Sequence, residues 1–585
     1  MRFTTAAYVS AACTVPLVLA ATQLSIPSSS TSKTTVYPNF LGISFELSFV
    51  GNYFGNSTDA IPAPFLVYLS NLAASSPSTP LRLRIGGNSM DDSTYIPSQS
   101  SPLLNFTNPQ ANANDQPVTF GPPLFQLFSK VAGSVGGGAK YLIGLSLRDP
   151  NDTNVPLLAG AAQSGLGDYM DAFLLGNEPD LYTSHGQRPN LPNYTVNDYI
   201  GDYWVATENL QNTSAGNILS NHNIAGPTIC CDWDLGAVLT SGWQSDFLDD
   251  LKYITLQHYP QNNCFGKYQY QLDYYLNHTN GASRPSPLPR RNFPVRLFSV
   301  LPLTYPTLSF TVKSLASWQS SGINAAQKPV VMSEFNSASC GGIPGISDTF
   351  GAAMWTADYA LQMASVGYSA AYLHTREPGI SYNLFEAPSN SSGGWTTMPP
   401  YYSLLLVSAA LGLNDTGANG TRVQDLDVQG DGSQAGYAVY DAAGGAGALS
   451  LVLFNYQNAS GAQSQFQVPQ NAFRAGAENV TVKILAAPDV AEAYRITWGN
   501  ETLYGVGDGK FVAAGAGVGG EMSVDCSGSG GCVVSVPGPG VAVVYPGEVL
   551  TGTGGSRKSA AEMVRVRSAW WAGAVGAAVG LVALV

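Results

Sequence analysis

At 585 residues, 45% of them hydrophobic, the chain is too long for one ordinary domain and has ample material for large cores. Lys and Arg number 26 against 39 Asp and Glu, a formal net charge of -13. With no long basic run, this balance excludes nucleic-acid binding through a basic patch and would repel a highly sulfated glycan unless basic residues were gathered locally. A charged fraction of only 11%, with 63 Gly and abundant Asn, Ser, Thr and Tyr, suits a secreted carbohydrate-active protein.

In chain order, residues 1–22 carry Arg2, an apolar stretch through Val15-Pro16-Leu17-Val18-Leu19 and a small-residue Ala20-Ala21-Thr22 site, the layout of a secretory signal peptide cleaved near Ala21 or Thr22. From about 40 to 400, apolar runs alternate with longer mixed segments, as βα repeats do. The candidate strands are Phe40–Glu46, Leu81–Ile85, Tyr141–Leu147, Ala172–Gly176, Ile224–Thr228, Tyr253–His258, Val330–Glu334 and Ala370–His374. Eight of them predict an α/β chain whose residues 23–400 form a (β/α)8 TIM barrel. The Pro-rich stretch Ser286–Pro306 reads as a long excursion at the active-site face.

From about Tyr401 the character changes. Tyr437–Tyr440, Leu449–Phe454, Val480–Leu485 and Val541–Tyr545 are short β-rich runs separated by Gly, Asn and Asp, which predicts a C-terminal antiparallel β-sandwich over 401–548. Thr34–Tyr37 is placed to add a strand to it, and Gly515–Gly531 reads as loop. Residues 549–585 close the chain as linker and hydrophobic signal. The small residues Gly552–Ser556 and a polar spacer with Arg557, Lys558, Arg565 and Arg567 precede the apolar run Ala569–Val585. That order resembles a GPI-anchor signal, the alternative being a single transmembrane anchor, for which about 17 residues is the lower limit. A membrane would then be met only through this tail.

Secretion accords with a high density of Asn-x-Ser/Thr acceptors, among them Asn56, Asn105, Asn151, Asn193, Asn212, Asn277, Asn390, Asn414, Asn458, Asn479 and Asn500. Removing the leader takes Cys13 with it. Cys526 and Cys532 are predicted to close a small loop, whereas Cys230, Cys231, Cys264 and Cys340 leave their pairing open. The adjacent pair Cys230-Cys231 lacks ligand spacing and the five histidines are scattered, so no metal site is expected.

The chemistry lies in two carboxylates, each ending an apolar run: Glu178 in Leu175-Gly176-Asn177-Glu178-Pro179, and Glu334 in Met332-Ser333-Glu334-Phe335. On the strand count above, Glu178 follows strand four and Glu334 ends strand seven. Strand ends at the C-terminal face are where barrel enzymes do their chemistry. Two carboxyls about 5–5.5 Å apart in one mouth are what retaining glycoside hydrolysis needs. No cofactor is called for. Arg84, aimed inward from strand two, is expected to partner a catalytic carboxylate rather than substrate.

Gly176-Asn177-Glu178-Pro179 and Ser333-Glu334-Phe335 resemble the acid/base and nucleophile motifs of clan A retaining glycosidases. Within that clan the chain is similar, over most of residues 25–548, to glycoside hydrolase family 79, the β-glucuronidases and heparanase-like enzymes. The resemblance implies that Glu178 is the acid/base, Glu334 the nucleophile, Asn177 a ligand of the sugar 2-hydroxyl, and Tyr259 a donor to the nucleophile. It further implies that Gly341, Gly342 and Tyr382 bind the uronic-acid carboxylate through neutral donors, and that Glu46, Asp91 and His374 meet the outer hydroxyls of the terminal sugar.

The expected activity is therefore exo-hydrolysis of terminal β-linked glucuronic or 4-O-methylglucuronic acid from a glycan or glycoconjugate. The alternatives are a clan A enzyme of another specificity (β-glucosidase, endo-β-galactanase, arabinofuranosidase, or a heparanase-like endo-enzyme) or an anchored wall-binding glycoprotein without turnover.

Overall fold

The computed structural model describes residues 21–279, 317–388, 393–412, 419–430, 432–459, 461–474, 477–515 and 519–547, with Val312 and Leu315 in addition. The leader up to residue 20, the Ser286–Pro306 stretch, the acceptors Asn390 and Asn414 and the tail beyond 547 lie outside them.

Eight parallel strands close into a barrel: β1 (Leu41–Glu46), β2 (Leu81–Gly86), β3 (Ala139–Leu145), β4 (Met170–Leu175), β5 (Ile224–Ile229), β6 (Leu251–His258), β7 (Val330–Phe335) and β8 (Tyr368–Thr375). They pair in chain order and β8 closes on β1, with Ala371 opposite Leu41 and Thr375 opposite Phe45. All are buried almost throughout, which is why they read as continuous apolar runs rather than alternating ones. The inward residues are Leu142, Ala172, Leu174, Ala225, Tyr253, Val331, Ala370 and Tyr372, packed as one cluster that fills the interior.

The period of two along β2 places both arginines of Leu81-Arg82-Leu83-Arg84-Ile85 inside the barrel. Arg82, at the N-terminal end, pairs with Asp171 at 3.0 Å, and Lys252 meets the same carboxylate at 2.7 Å. Arg84, one repeat further on, emerges among the residues of the opposite mouth. The two look alike in sequence, yet one plugs the floor and the other serves the site.

The strands are joined through helices such as Ala63–Ala73, Pro122–Ser134, Asn154–Leu166, Val196–Leu210 and Phe350–Val366. Val196–Leu210 starts at a capping box in which Thr195 and Asp198 exchange side-chain and backbone bonds. The helix after β8, Pro399–Gly412, corrects the expected boundary: residues 401–412 belong to it, and the first sandwich strand begins at Thr421. Its Tyr401–Val407 run is buried all round, so it lacks the apolar stripe that marks a surface helix.

The sandwich has a large antiparallel sheet, containing Thr421–Asp425, Gln434–Asp441, Ser450–Asn455, Gly540–Pro546 and Asn479–Ala486 in that order, and a three-stranded sheet of Thr22–Gln23, Gln463–Val468 and Cys532–Pro537. The N-terminal contribution is thus Thr22–Gln23, parallel to Phe466–Gln467. Thr34–Tyr37 offers only a single bridge, Val36 to Thr421. Within the stretch read as loop, Glu521–Asp525 forms a strand against Asn479–Lys483. Its side chains are mostly exposed, so no hydrophobic pattern announced it.

A buried polar cluster joins the two domains. His278 Nδ1 lies 3.0 Å from Asp358 Oδ2 and its Nε2 lies 3.8 Å from Asp425 Oδ2. The Tyr437 and Tyr456 hydroxyls both donate to the Asp358 carboxylate. Burial alone would lower the His278 pKa, but the charges of Asp358 and Asp425 and their hydrogen bonds prevail and push it up to about 10. A histidine raised above its unfolded value contributes stability that is complete below about pH 6.5 and is lost as pH rises toward 10. The melting temperature should therefore fall between pH 7 and pH 10. In His278→Gln it should be lower at pH 6, by the equivalent of about 3 kcal/mol, with the slope over that range flattened. Calorimetry of both proteins at pH 6 and pH 9 checks this, and an unchanged slope would contradict it.

Candidate active site

The barrel mouth gathers side chains from six strand ends. Glu334, near the end of β7, receives three partners. Arg84 Nη1 pairs with its Oε2, the Tyr259 hydroxyl just past β6 donates to its Oε1 at 2.6 Å, and His374 Nε2 of β8 stands 3.8 Å from Oε1. Arg84 also donates to Ser44 Oγ at 3.0 Å and to Asn177 Oδ1 at 2.9 Å, fixing the asparagine that precedes Glu178. Asn177 in turn donates to Asn88 Oδ1 at 2.8 Å. With its amide turned so that the oxygen accepts from Arg84 at 3.2 Å, Gln257 donates to Glu178 Oε1 at 2.9 Å. One guanidinium and one amide thus tie both carboxylates into a single network.

The two carboxylates are pushed apart in proton affinity. Burial, then the charges of Glu334 and Asp180, hold Glu178 well above the usual carboxylate range, Arg84 offsetting only part of this. Burial would raise Glu334 too, but His374, Arg84 and the Tyr259 hydrogen bond outweigh it and hold its pKa low. A protonated carboxyl beside an ionised one is the division of labour that double displacement at an anomeric carbon requires.

Glu46 ends β1 with Oε1 accepting from the backbone N–H of Ser89 at 2.8 Å and from its hydroxyl, while Oε2 lies 3.4 Å from His374 Nε2. This approach depends on Gly87: at φ +82° it adopts the left-handed region, and a Cβ there would sit 2.2 Å from Glu46 Oε2. His374 is oriented from its other nitrogen by Ser44 Oγ at 2.9 Å. Asp91 is turned elsewhere. Its carboxylate faces Arg148 at 3.4 Å, 1% exposed, and burial pushes its pKa up to about 7 despite that arginine. It makes no hydrogen bond to the group around the two glutamates.

The loop after β7 is strapped down by the Cys264–Cys340 disulfide to the loop after β6, and by Asn263 Nδ2 donating to the Gly342 carbonyl at 2.9 Å. Cys340, Gly341 and Gly342 all have positive φ, at 59°, 93° and 76°. The two glycines are buried, and the N–H of neither donates to any described residue. Tyr382 packs beside Gly342, whose added Cβ would lie 3.1 Å from the Tyr382 Cβ, and its ring stands 6.0 Å from that of His374. Arg376, the cation facing Tyr382, is already bidentate on Glu377.

The structure therefore brings Glu46, Asn177, Glu178, Tyr259, Glu334, Gly341, Gly342, His374 and Tyr382 to one mouth. Tyr259, expected among the substrate contacts as well as at the nucleophile, is occupied by Glu334. Gln257 was not singled out from the sequence. Its only signal was its position two residues before Tyr259 on a strand end, which a chain rich in amides does not make visible. The pairing left open among four cysteines resolves as Cys264–Cys340 and the adjacent Cys230–Cys231, and Cys526–Cys532 closes the small loop as expected.

Comparison with known proteins bears on this geometry. Residues 436–543 match the family model of the glycosyl hydrolase family 79 C-terminal beta domain. A beta-glucuronidase of Aspergillus niger is 26% identical over 510 residues, 81% of this chain and 84% of its own. A beta-glucuronidase of Neurospora crassa is 25% identical over 414 residues, 68% and 67% of the two chains. Among solved structures, a 4-O-α-L-rhamnosyl-β-D-glucuronidase from Fusarium oxysporum superimposes with a TM-score of 0.67 at 21% identity, covering 89% of this chain and 100% of its own. That likeness speaks for the barrel-plus-sandwich fold.

Proposed function

From the premise that this chain belongs to glycoside hydrolase family 79, we propose that it is a retaining exo-β-glucuronidase acting on terminal β-linked glucuronic or 4-O-methylglucuronic acid. The observation that carries the specificity is the pair of buried N–H groups at Gly341 and Gly342, which donate to no described residue, beside Tyr382 on the loop that follows Glu334. Neutral donors in a site poor in free cations suit one carboxylate and not a polysulfated chain. The two relatives of similar length named above, both beta-glucuronidases, support the same substrate class.

The reaction follows from the network. Glu334 attacks the anomeric carbon as Glu178 gives its proton to the departing glycosidic oxygen, so the C–O bond to the aglycone breaks while an ester bond to Glu334 forms. Glu178, now ionised, takes a proton from water, whose oxygen displaces Glu334 and leaves glucuronic acid with its β configuration. Arg84 and Tyr259 hold the Glu334 charge in place. Asn177 is set to meet the 2-hydroxyl, and Glu46 and His374 the outer hydroxyls.

Secretion, and attachment to the cell surface through a GPI-type tail, remain part of the proposal and rest on the leader and tail of the sequence. The test is one set of assays on the full chain expressed in cells. Aryl β-glucuronide should be cleaved far faster than aryl β-glucoside, with cell-surface activity released by a phosphatidylinositol-specific phospholipase. Gly342→Ala, whose Cβ would meet Ser347 Cβ at 2.8 Å in a left-handed backbone, should lose at least about 10-fold in kcat/KM on the glucuronide alone. Preference for the glucoside would overturn the substrate assignment.

A further inference from the structure

One buried carboxylate beside the site has no part in the reaction just described. Asp180, two residues beyond Glu178, is 5% exposed. Both its oxygens accept from the N–H of Cys230 at 3.1 Å, and Oδ2 also accepts from Cys231 at 2.7 Å and Asp232 at 2.8 Å. These three successive donors start the loop after β5, where the side chains of Cys230 and Cys231 are bonded to each other. A covalent ring between neighbouring residues restricts the backbone at the point where its N–H groups must converge.

A second observation concerns the backbone. Glu178 has φ 48° and Thr228 has φ 60°, both left-handed without being glycine. They are joined, the Glu178 N–H donating to the Thr228 carbonyl at 3.2 Å, while the Thr228 hydroxyl meets Thr255 Oγ1 at 3.1 Å. A β-branched residue in that region persists only where its surroundings over-determine it. The Asp180 contacts begin two residues after each of these positions, on both loops at once.

Resting on the reading of Glu178 as acid/base, we propose that Asp180 is a positioning residue: with the Cys230–Cys231 turn it forms a clamp that holds Glu178 in its presenting conformation. The clamp also sets a fixed anion near Glu178. Burial acts on that carboxyl first, followed by the charges of Glu334 and Asp180, all favouring the protonated form it needs. Burial pushes the Asp180 pKa above the ordinary aspartate value, and the N–H groups of Cys231, Asp232 and Cys230 offset part of that rise by favouring the ionised form.

The test compares pH profiles of kcat/KM on phenyl β-glucuronide, which needs a proton on its leaving group, and 2,4-dinitrophenyl β-glucuronide, which does not. Wild type, Asp180→Asn and the Cys230→Ser/Cys231→Ser double variant are measured, with Glu178→Gln as reference. Asp180→Asn should lose about 10- to 100-fold on the phenyl substrate and little on the dinitrophenyl one, and its basic limb should move down by about half a unit to one unit. The double cysteine variant keeps the charge, so it should show the same selective loss with the limb in place. Equal losses on both substrates without movement of the limb would reduce Asp180 to a structural role and overturn the clamp. Should Asp180→Asn fail to fold, the cysteine variant decides by the same ratio. If Glu178→Gln itself leaves the ratio of the two substrates unchanged, the acid/base reading fails and takes the clamp with it, a result told apart by that reference alone.

Discussion

Glu334→Ala should lose at least about 10^4-fold of kcat on every aryl β-glucuronide, whatever the leaving group, because it removes the carboxylate that forms the covalent intermediate. Arg84 and Tyr259 would remain aimed at the vacated position, so a small anion should be received there. Azide is expected to restore part of the activity and to yield the α-glucuronosyl azide, with inverted configuration, since it attacks the substrate directly from the nucleophile's side. Product configuration by NMR checks this. A β-azide from this variant would assign the nucleophile elsewhere. In the wild type, loss of activity on the acid side should follow protonation of Glu334, whose pKa is held low by His374, Arg84 and Tyr259 against the opposing effect of burial.

Glu178→Ala should behave in the opposite manner. Phenyl β-glucuronide hydrolysis is expected to fall by about 10^3-fold or more, the range of general acid catalysis for a poor leaving group, while the first step on dinitrophenyl β-glucuronide is nearly spared. Turnover of the latter should then stall at the glycosyl ester, giving a burst. Azide should release it as the β-glucuronosyl azide, because it attacks the intermediate from the face that water uses. The basic limb of the wild-type profile should vanish in this variant, since the wild type loses activity as the strongly raised Glu178 ionises. The two glutamates titrate as an interacting pair, so the limbs report values of the pair. Equal loss on both substrates would remove Glu178 from the acid role.

Much of this site was legible in the chain because a parallel barrel writes itself plainly. Each strand is buried on both faces and flanked by polar loops, so the runs ending at Glu46, Glu334 and His374 could be placed within a residue or two, and Asn177-Glu178-Pro179 announced the fourth strand end. Arg84 was expected to serve a carboxylate because an arginine inside an apolar strand has few other partners. The misplacements share one cause. Pro399–Gly412 and Glu521–Asp525 carry no periodic contrast, the first being buried all round and the second largely exposed, so neither shows the pattern by which helix and strand are told apart. Asp91, at the end of Asn88-Ser89-Met90-Asp91, was expected at the sugar and instead faces Arg148, because a short helix fixes the direction of its side chains and spacing along the chain does not.

What the sequence determined by itself was local: eight apolar runs, two glutamates at strand ends, a β-rich C-terminal half, and a Gly pair after the second glutamate. Tertiary structure alone decided the relations between distant segments. Closure of β8 on β1 brings His374 to Glu46, and the period of two in β2 separates the roles of Arg82 and Arg84. Disulfide pairing selects Cys264–Cys340 to hold the Gly341–Gly342 loop, and the β5 loop folds its N–H groups around Asp180. Proton affinities belong to this second class. They arise from burial and from charges that lie far apart along the chain yet within a few ångströms in space, and that distance is set only when the barrel closes.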